Sequence, residues 1–151
     1  MVSTKGRYAL MVMLDLASHD DGGYISLADV AAREGLSMKY LESVVSMLNK
    51  GGLLLSLRGK NGGYRLIKSP EEYTVGEILK ITEGSLAPVE CIRQESVHCD
   101  RAQECATLPL WIGLDRLIDG YLDQITLQDV LDGNRSKMLG LTENEEKEEG
   151  A

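Results

Sequence analysis

No run of eighteen apolar residues occurs in the 151-residue chain, and no basic leader is followed by an apolar stretch. Neither a membrane span nor a signal peptide is therefore expected, and the sequence points to a cytoplasmic protein. Cysteine is scarce. Three residues, an odd number with no export signal, argue against a disulfide framework. Catalytic constellations are also missing. His98 beside Cys99 suggests a nucleophile with a base, but neighbouring residues in a loop seldom make that hydrogen bond. No third orienting residue or oxyanion loop is recognisable, so the chain is not expected to be an enzyme.

Positive charge is in short supply overall, with 16 Lys and Arg against 24 Asp and Glu and a net charge of −8. The deficit is uneven. Residues 1–68 hold nine basic and six acidic side chains, whereas residues 69–151 hold seven and eighteen. Binding responds to the local field, since charges more than about 8 Å apart across solvent are largely screened at physiological salt. An acidic second half does not veto a basic first half that meets nucleic acid. The length and a hydrophobic fraction of 43% suit one soluble domain with a proper core.

What is present is concentrated between Ser26 and Leu66. After Ser26, Leu27, Val30 and Ala31 recur at helical spacing, and Gly35 supplies a left-handed closing residue. A second helix opens at Ser37 and carries Leu41, Val44, Val45 and Leu48 on one face. Its other face presents Ser37, Lys39, Glu42, Ser43, Ser46 and Asn49, small or hydrogen-bonding side chains suited to base edges. Leu53 to Leu57 and Tyr64 to Leu66 read as strands around Arg58-Gly59-Lys60-Asn61-Gly62-Gly63. Such a tip is a wing. Its glycines let backbone approach a sugar-phosphate edge, and Arg58, Lys60 and Arg65 supply charge that releases counterions.

An earlier helix follows Ser3-Thr4, with Ala9, Leu10, Val12, Met13, Leu16 and Ala17 on its apolar face. Asp20-Asp21-Gly22-Gly23 ends it, and Tyr24-Ile25 suits a short strand beside the hairpin. Lys5, Arg7 and Tyr8 stand at the helix start, where free amides and the positive dipole end favour phosphate. After the wing, Thr74-Val75-Gly76-Glu77 predicts a capping box and a helix burying Val75, Ile78, Leu79 and Thr82, stopped by Gly84.

Together, Ser3-Thr4-Lys5-Gly6-Arg7-Tyr8-Ala9, Ser26-Leu27-Ala28-Asp29-Val30-Ala31, Tyr40-Leu41-Glu42, and Arg58-Gly59 followed by Gly62-Gly63-Tyr64 resemble the Rrf-two family of winged-helix regulators. The resemblance runs from the first residues to about Gly133. It implies a dimeric bacterial transcription factor, often a repressor, that binds double-stranded DNA. Among the family's best-known members are an iron–sulfur cluster regulator, a nitric-oxide sensor and a cysteine-metabolism repressor, so a redox cofactor belongs to some members only. The expected fold is mainly α: a winged helix-turn-helix with a two-stranded β wing, plus a long C-terminal dimerisation helix.

From Ser85 to Ala106 periodicity fails, and this loop contains every cysteine: Cys91, Cys99 and Cys105, spaced C-x7-C-x5-C. Soft thiolates suit iron–sulfur clusters and zinc, and three from one irregular loop can converge. A cluster of two or four irons (2Fe-2S or 4Fe-4S), a three-cysteine zinc site, a thiol switch and spare cysteines are the competing readings. The family resemblance favours the cluster, because its cluster-bearing members place three cysteines here. The first gap is longer than that of the iron–sulfur cluster regulator, however. Leu108 stands where that regulator has its histidine ligand, and Arg7 and Tyr8 where the nitric-oxide sensor has an acidic one. The fourth ligand is therefore not carried over; His98, Asp100 and Glu104 are local candidates.

From Thr107 to Ile125 an apolar stripe returns, with Leu110, Trp111, Leu114, Leu117, Ile118, Tyr121, Leu122 and Ile125 at spacings of three and four. A second long stripe needs another surface, and a twofold homodimer supplies one most simply. The resemblance agrees, since the family packs this helix against its symmetry mate. Thr126 caps a short helix through Leu131, ended by Gly133. The expected organisation is a DNA-binding domain over 1–84, a cysteine loop over 85–106, the dimerisation and terminal helices over 107–133, and an acidic, disordered tail over 134–151.

Overall fold

The computed structural model describes residues 2–93, 100–141 and 145. The elements are α1 (Thr4–Ser18), α2 (Leu27–Glu34), α3 (Met38–Lys50), β1 (Leu54–Leu57), β2 (Gly63–Leu66), α4 (Val75–Glu83), α5 (Leu108–Leu122), α6 (Leu127–Leu131) and α7 (Arg135–Leu139). Short 3-10 turns lie at Pro70–Glu72 and Glu90–Ile92. The mainly helical chain with one antiparallel pair, β1 on β2, is the expected winged helix-turn-helix.

Local capping chemistry sets the helix starts. The hydroxyls of Ser3, Ser26, Ser37 and Thr74 accept from the amides of Gly6, Asp29, Tyr40 and Glu77, each satisfying one orphan donor of α1, α2, α3 and α4. Gly35 closes α2 in the left-handed region at φ +66°. Periodicity sets what is buried: Ala9, Val12, Met13 and Leu16 of α1 pack with Val30 of α2 and with Leu41, Val44, Val45 and Leu48 of α3. One charge joins this core. Asp15, with its side chain 1% exposed, takes a bidentate fork from Arg33, Nε to Oδ2 at 2.8 Å and Nη2 to Oδ1 at 2.7 Å, which ties α1 to α2.

The wing is fixed at its base and along one edge. Ile25 exchanges backbone hydrogen bonds with Tyr64 at 2.9 and 2.8 Å, so the expected Tyr24-Ile25 strand is a single bridge. A Cβ on Gly63 would stand 2.0 Å from the Ile25 carbonyl oxygen, so this crossing requires glycine.

Four expectations change in detail. Thr74 caps α4, but Glu77 does not complete a box; its carboxylate faces the Lys68 ammonium at 3.4 Å. Arg65 does not serve the wing tip: it donates to the Gly22 carbonyl at 3.1 Å and lies over the Tyr24 ring, bracing the wing against the turn after α1. Ile125 is not on the long helix, which ends at Leu122. It is buried with Val75, Leu79 and Leu86, and its carbonyl accepts from Val75 N at 2.8 Å. Finally, the segment expected as a disordered tail begins with α7, capped by Asn134 and held by Lys137 on Asp129. The Arg-Ser-Lys-Met-Leu sequence of α7 carries no acidic residue, unlike the glutamate-rich stretch that ends the chain. Positions 142–144 and 146–151 of that tail lie outside the described residues.

Candidate nucleic-acid interface and cysteine segment

The first two turns of α3 present Ser37, Lys39, Tyr40, Glu42 and Ser43 to solvent, with Ser46 and Asn49 exposed further along. The burial of Leu41, Val44, Val45 and Leu48 on the opposite side fixes this orientation. Met38 is a residue sequence reasoning passed over. It is 42% exposed in the first turn, and an apolar side chain left out of the core at a polar helix start was the available signal.

Tyr8 of α1 meets Tyr40 of α3 edge to face, with ring centroids 5.1 Å apart and planes at 78°. The contact sets the start of α1, with exposed Lys5 and Arg7, beside the start of α3. The amides at that start are only partly free. Glu83 Oε1 accepts from Ser3 N at 2.9 Å and from Ser3 Oγ at 2.6 Å.

At the wing tip Arg58, Gly59, Lys60 and Asn61 are exposed and Gly62 and Gly63 half-buried. Gly62 N donates to the Gly59 carbonyl at 3.0 Å, and a Cβ on Gly62 would stand 2.1 Å from the Leu57 carbonyl oxygen. The tip is narrow because two glycines let its strands close, leaving Arg58 and Lys60 unencumbered at its end.

Cys91 lies in the 3-10 turn Glu90–Ile92 and Cys105 just before α5; both are half-buried free thiols. Cys99 and His98 lie outside the described residues. The Thr107 hydroxyl, 3.4 Å from Cys105 Sγ, together with the Thr107 and Leu108 amides, pulls the Cys105 thiol below its ordinary value. Such a site favours the thiolate, the form that ligates metals. Asp100 and Glu104 are exposed. Among the described residues no three His, Cys, Asp or Glu side chains are gathered as a metal-holding group.

No residue of α5 is buried. Leu110 and Leu117 are 62% and 72% exposed, and Leu114 and Tyr121 stand on the same side. Trp111 is half-buried, and Ile118 and Leu122 lean on the cluster of Val75, Leu79, Leu86 and Ile125. The stripe therefore divides: one edge seats α5 on its own domain, and the other is an exposed ridge of Leu110, Leu114 and Leu117, ended by Tyr121, whose hydroxyl donates to the Met138 carbonyl of α7. Positions 113 and 120 beside the ridge are glycines with open space where a Cβ would be. No described helix is long and apolar enough to cross a membrane.

Comparison with known proteins decides the family. The sequence profile of Rrf2, described as an iron-dependent transcriptional regulator, matches residues 2–133. The chain belongs to the Rrf2 family of transcriptional regulators. It is 37% identical over 143 residues to the HTH-type transcriptional regulator IscR of Aliivibrio salmonicida, covering 95% of this chain and 84% of that protein. Among solved structures, it resembles CymR, the global cysteine regulator of B. subtilis, with a TM-score of 0.70, 37% identity and coverage of 87% of this chain and 96% of that one. It also resembles T. potens IscR, with a TM-score of 0.69, 38% identity and coverage of 89% and 88%. These relatives are transcriptional regulators, a non-enzymatic class, in agreement with the expectation that the Rrf2 chain is not an enzyme.

Proposed function

We propose that this Rrf2 protein is a cytoplasmic, homodimeric repressor that binds double-stranded DNA and whose grip is set by an iron–sulfur cluster on Cys91, Cys99 and Cys105. The observation that carries the DNA-binding half is the contact of Tyr8 on Tyr40, which joins the basic start of α1 to the solvent-facing start of α3. In this reading α3 enters the major groove. Ser37, Lys39, Tyr40, Glu42 and Ser43 meet base edges or adjacent phosphates, and Met38 suits a thymine methyl. Lys5, Arg7 and Tyr8 lie along phosphates, and Arg58, Gly59, Lys60, Asn61, Gly62 and Gly63 grip the neighbouring backbone.

Dimerisation buries the ridge of α5: Leu110, Leu114, Leu117 and Tyr121 across the twofold axis, with Trp111 and Ile118 at its edge. The exposure of Leu110, Leu114, Leu117 and Tyr121 in one protomer supports this assignment. Support for the cluster comes from the donor chemistry, three soft thiols with Cys105 already inclined to the thiolate, and from the likeness to proteins named IscR. A bound cluster would order the cysteine segment against α5 and so alter the spacing of the two α3 helices. The likeness to CymR favours a second reading, in which the same DNA-binding dimer has no cofactor and answers to a small molecule or partner protein.

Anaerobic purification followed by iron and sulfide analysis separates the two. Iron and acid-labile sulfide in a coloured protein, with DNA affinity that changes on their removal, support the cluster. A colourless, iron-free dimer that still selects DNA supports the second reading. Arg58→Ala tests the DNA-binding half directly: it should weaken binding to all sequences and reduce the salt slope by about one unit.

A further inference from the structure

We propose that Glu83 is the positioning residue for the DNA-contacting end of α1, clamping it from the side opposite Tyr40; this rests on the DNA-binding reading above. One carboxylate oxygen takes two donors from Ser3, the amide at 2.9 Å and the hydroxyl at 2.6 Å. The same Ser3 hydroxyl accepts from Gly6 N, so the N-cap of α1 is itself held by Glu83. A Cβ on Gly6 would lie 2.4 Å from that carboxylate oxygen, so the carboxylate occupies the space that a side chain at position 6 would take.

Gly6 and Tyr8 are two residues apart, hence about 200° around the helix. Glu83 therefore holds the back of the first turn while the Tyr40 ring supports its front. Burial opposes ionisation of Glu83, yet the Ser3 hydroxyl and amide and the Gly6 amide hold its carboxyl below the ordinary value, so the clamp is charged at neutral pH. Its negative charge is satisfied internally and turned away from the Tyr8 side. Glu83 is also the last residue of α4, immediately before the segment that leads to Cys91. The clamp thus lies where the cysteine segment departs, and a displacement of that segment would reach Lys5 and Arg7 through one side chain.

The test uses the full-length protein and a duplex it selects from a random-sequence pool. Glu83→Ala should weaken binding about tenfold and lower the salt slope by about two units, because the Lys5 and Arg7 phosphate contacts are lost together. Adding Lys5→Ala and Arg7→Ala to that variant should then change little. Glu83→Gln, which keeps an acceptor for Ser3, should recover most of the slope. Gly6→Ala, which pushes the carboxylate off while leaving Glu83 in place, should reproduce the loss and serves if Glu83→Ala does not fold. Wild-type slopes in Glu83→Ala and Gly6→Ala would overturn the proposal. So would tighter binding by both Glu83→Ala and Glu83→Gln, the signature of a simple repulsive charge. Arg58→Ala is the parallel control. If it leaves the slope unchanged, the DNA-binding reading fails; if it lowers the slope while the Glu83 variants do not, only the clamp fails.

Discussion

The phenol of Tyr73 donates to the carbonyl of Leu53 at 2.8 Å, from a side chain with no exposed surface. The same oxygen accepts from Ile67 N at 2.9 Å and Lys68 N at 3.3 Å, so one hydroxyl serves backbone groups at both roots of the wing. Removing it leaves a buried carbonyl and two amides without this partner. Tyr73→Phe should lower unfolding free energy by about 2 kcal/mol, read as a shifted urea midpoint at unchanged slope. An unshifted midpoint would show that these groups find other partners.

This lock was not legible in the sequence, and the reason is physical. Serine caps and the spacing of Leu41, Val44, Val45 and Leu48 act within a few residues, so they can be read directly. The wing tip is legible for the same reason, since glycines and cations sit together in the chain. Tyr73 with Leu53, Arg33 with Asp15 and Glu83 with Ser3 are separated by 20, 18 and 80 positions, and no local pattern announces them. Arg65 illustrates the converse error: charge near the wing was legible, but its direction, set by Gly22 and Tyr24, was not. Likewise Ile125 fits the stripe by count, yet backbone pairing of 125–127 with 73–75 removes it from the helix.

The exposed ridge of α5 makes the dimer testable without disturbing the protomer. Leu117 is 72% exposed, so a charge there finds water in the monomer and an apolar partner in the dimer. Burying one leucine contributes about 1.5–3 kcal/mol, and a twofold seam counts it twice. Leu117→Glu should therefore raise the dimer dissociation constant at least about a hundredfold in sedimentation equilibrium, with helical content unchanged. A variant that sediments as the wild-type dimer would move the interface elsewhere.

Cys105 tests the cofactor separately. Its position before α5, beside the Thr107 hydroxyl that favours its thiolate, prepares it to ligate. Cys105→Ala should abolish bound iron and visible colour in anaerobically prepared protein while leaving the dimer intact. Retention of a full iron complement would exclude Cys105 as an essential anchor.

Asp129 supplies a pH-dependent test of the terminal helices. The Lys137 ammonium on Oδ2, with the Thr126 amide at 2.9 Å, holds its carboxyl down at about 2. A folded value below the unfolded one of about 3.9 means that the ionised carboxylate stabilises the folded state above that pH, and that the contribution fades as pH falls towards 2. Because Lys137 is half-exposed, the contribution at neutral pH is discounted to roughly 1 kcal/mol. Asp129→Asn should thus cost about that much at neutral pH, and its gap from wild type in urea titrations should narrow steadily below about pH 4. A gap independent of pH would mean that Asp129 acts through the α6 cap alone, with no contribution from its charge on Lys137.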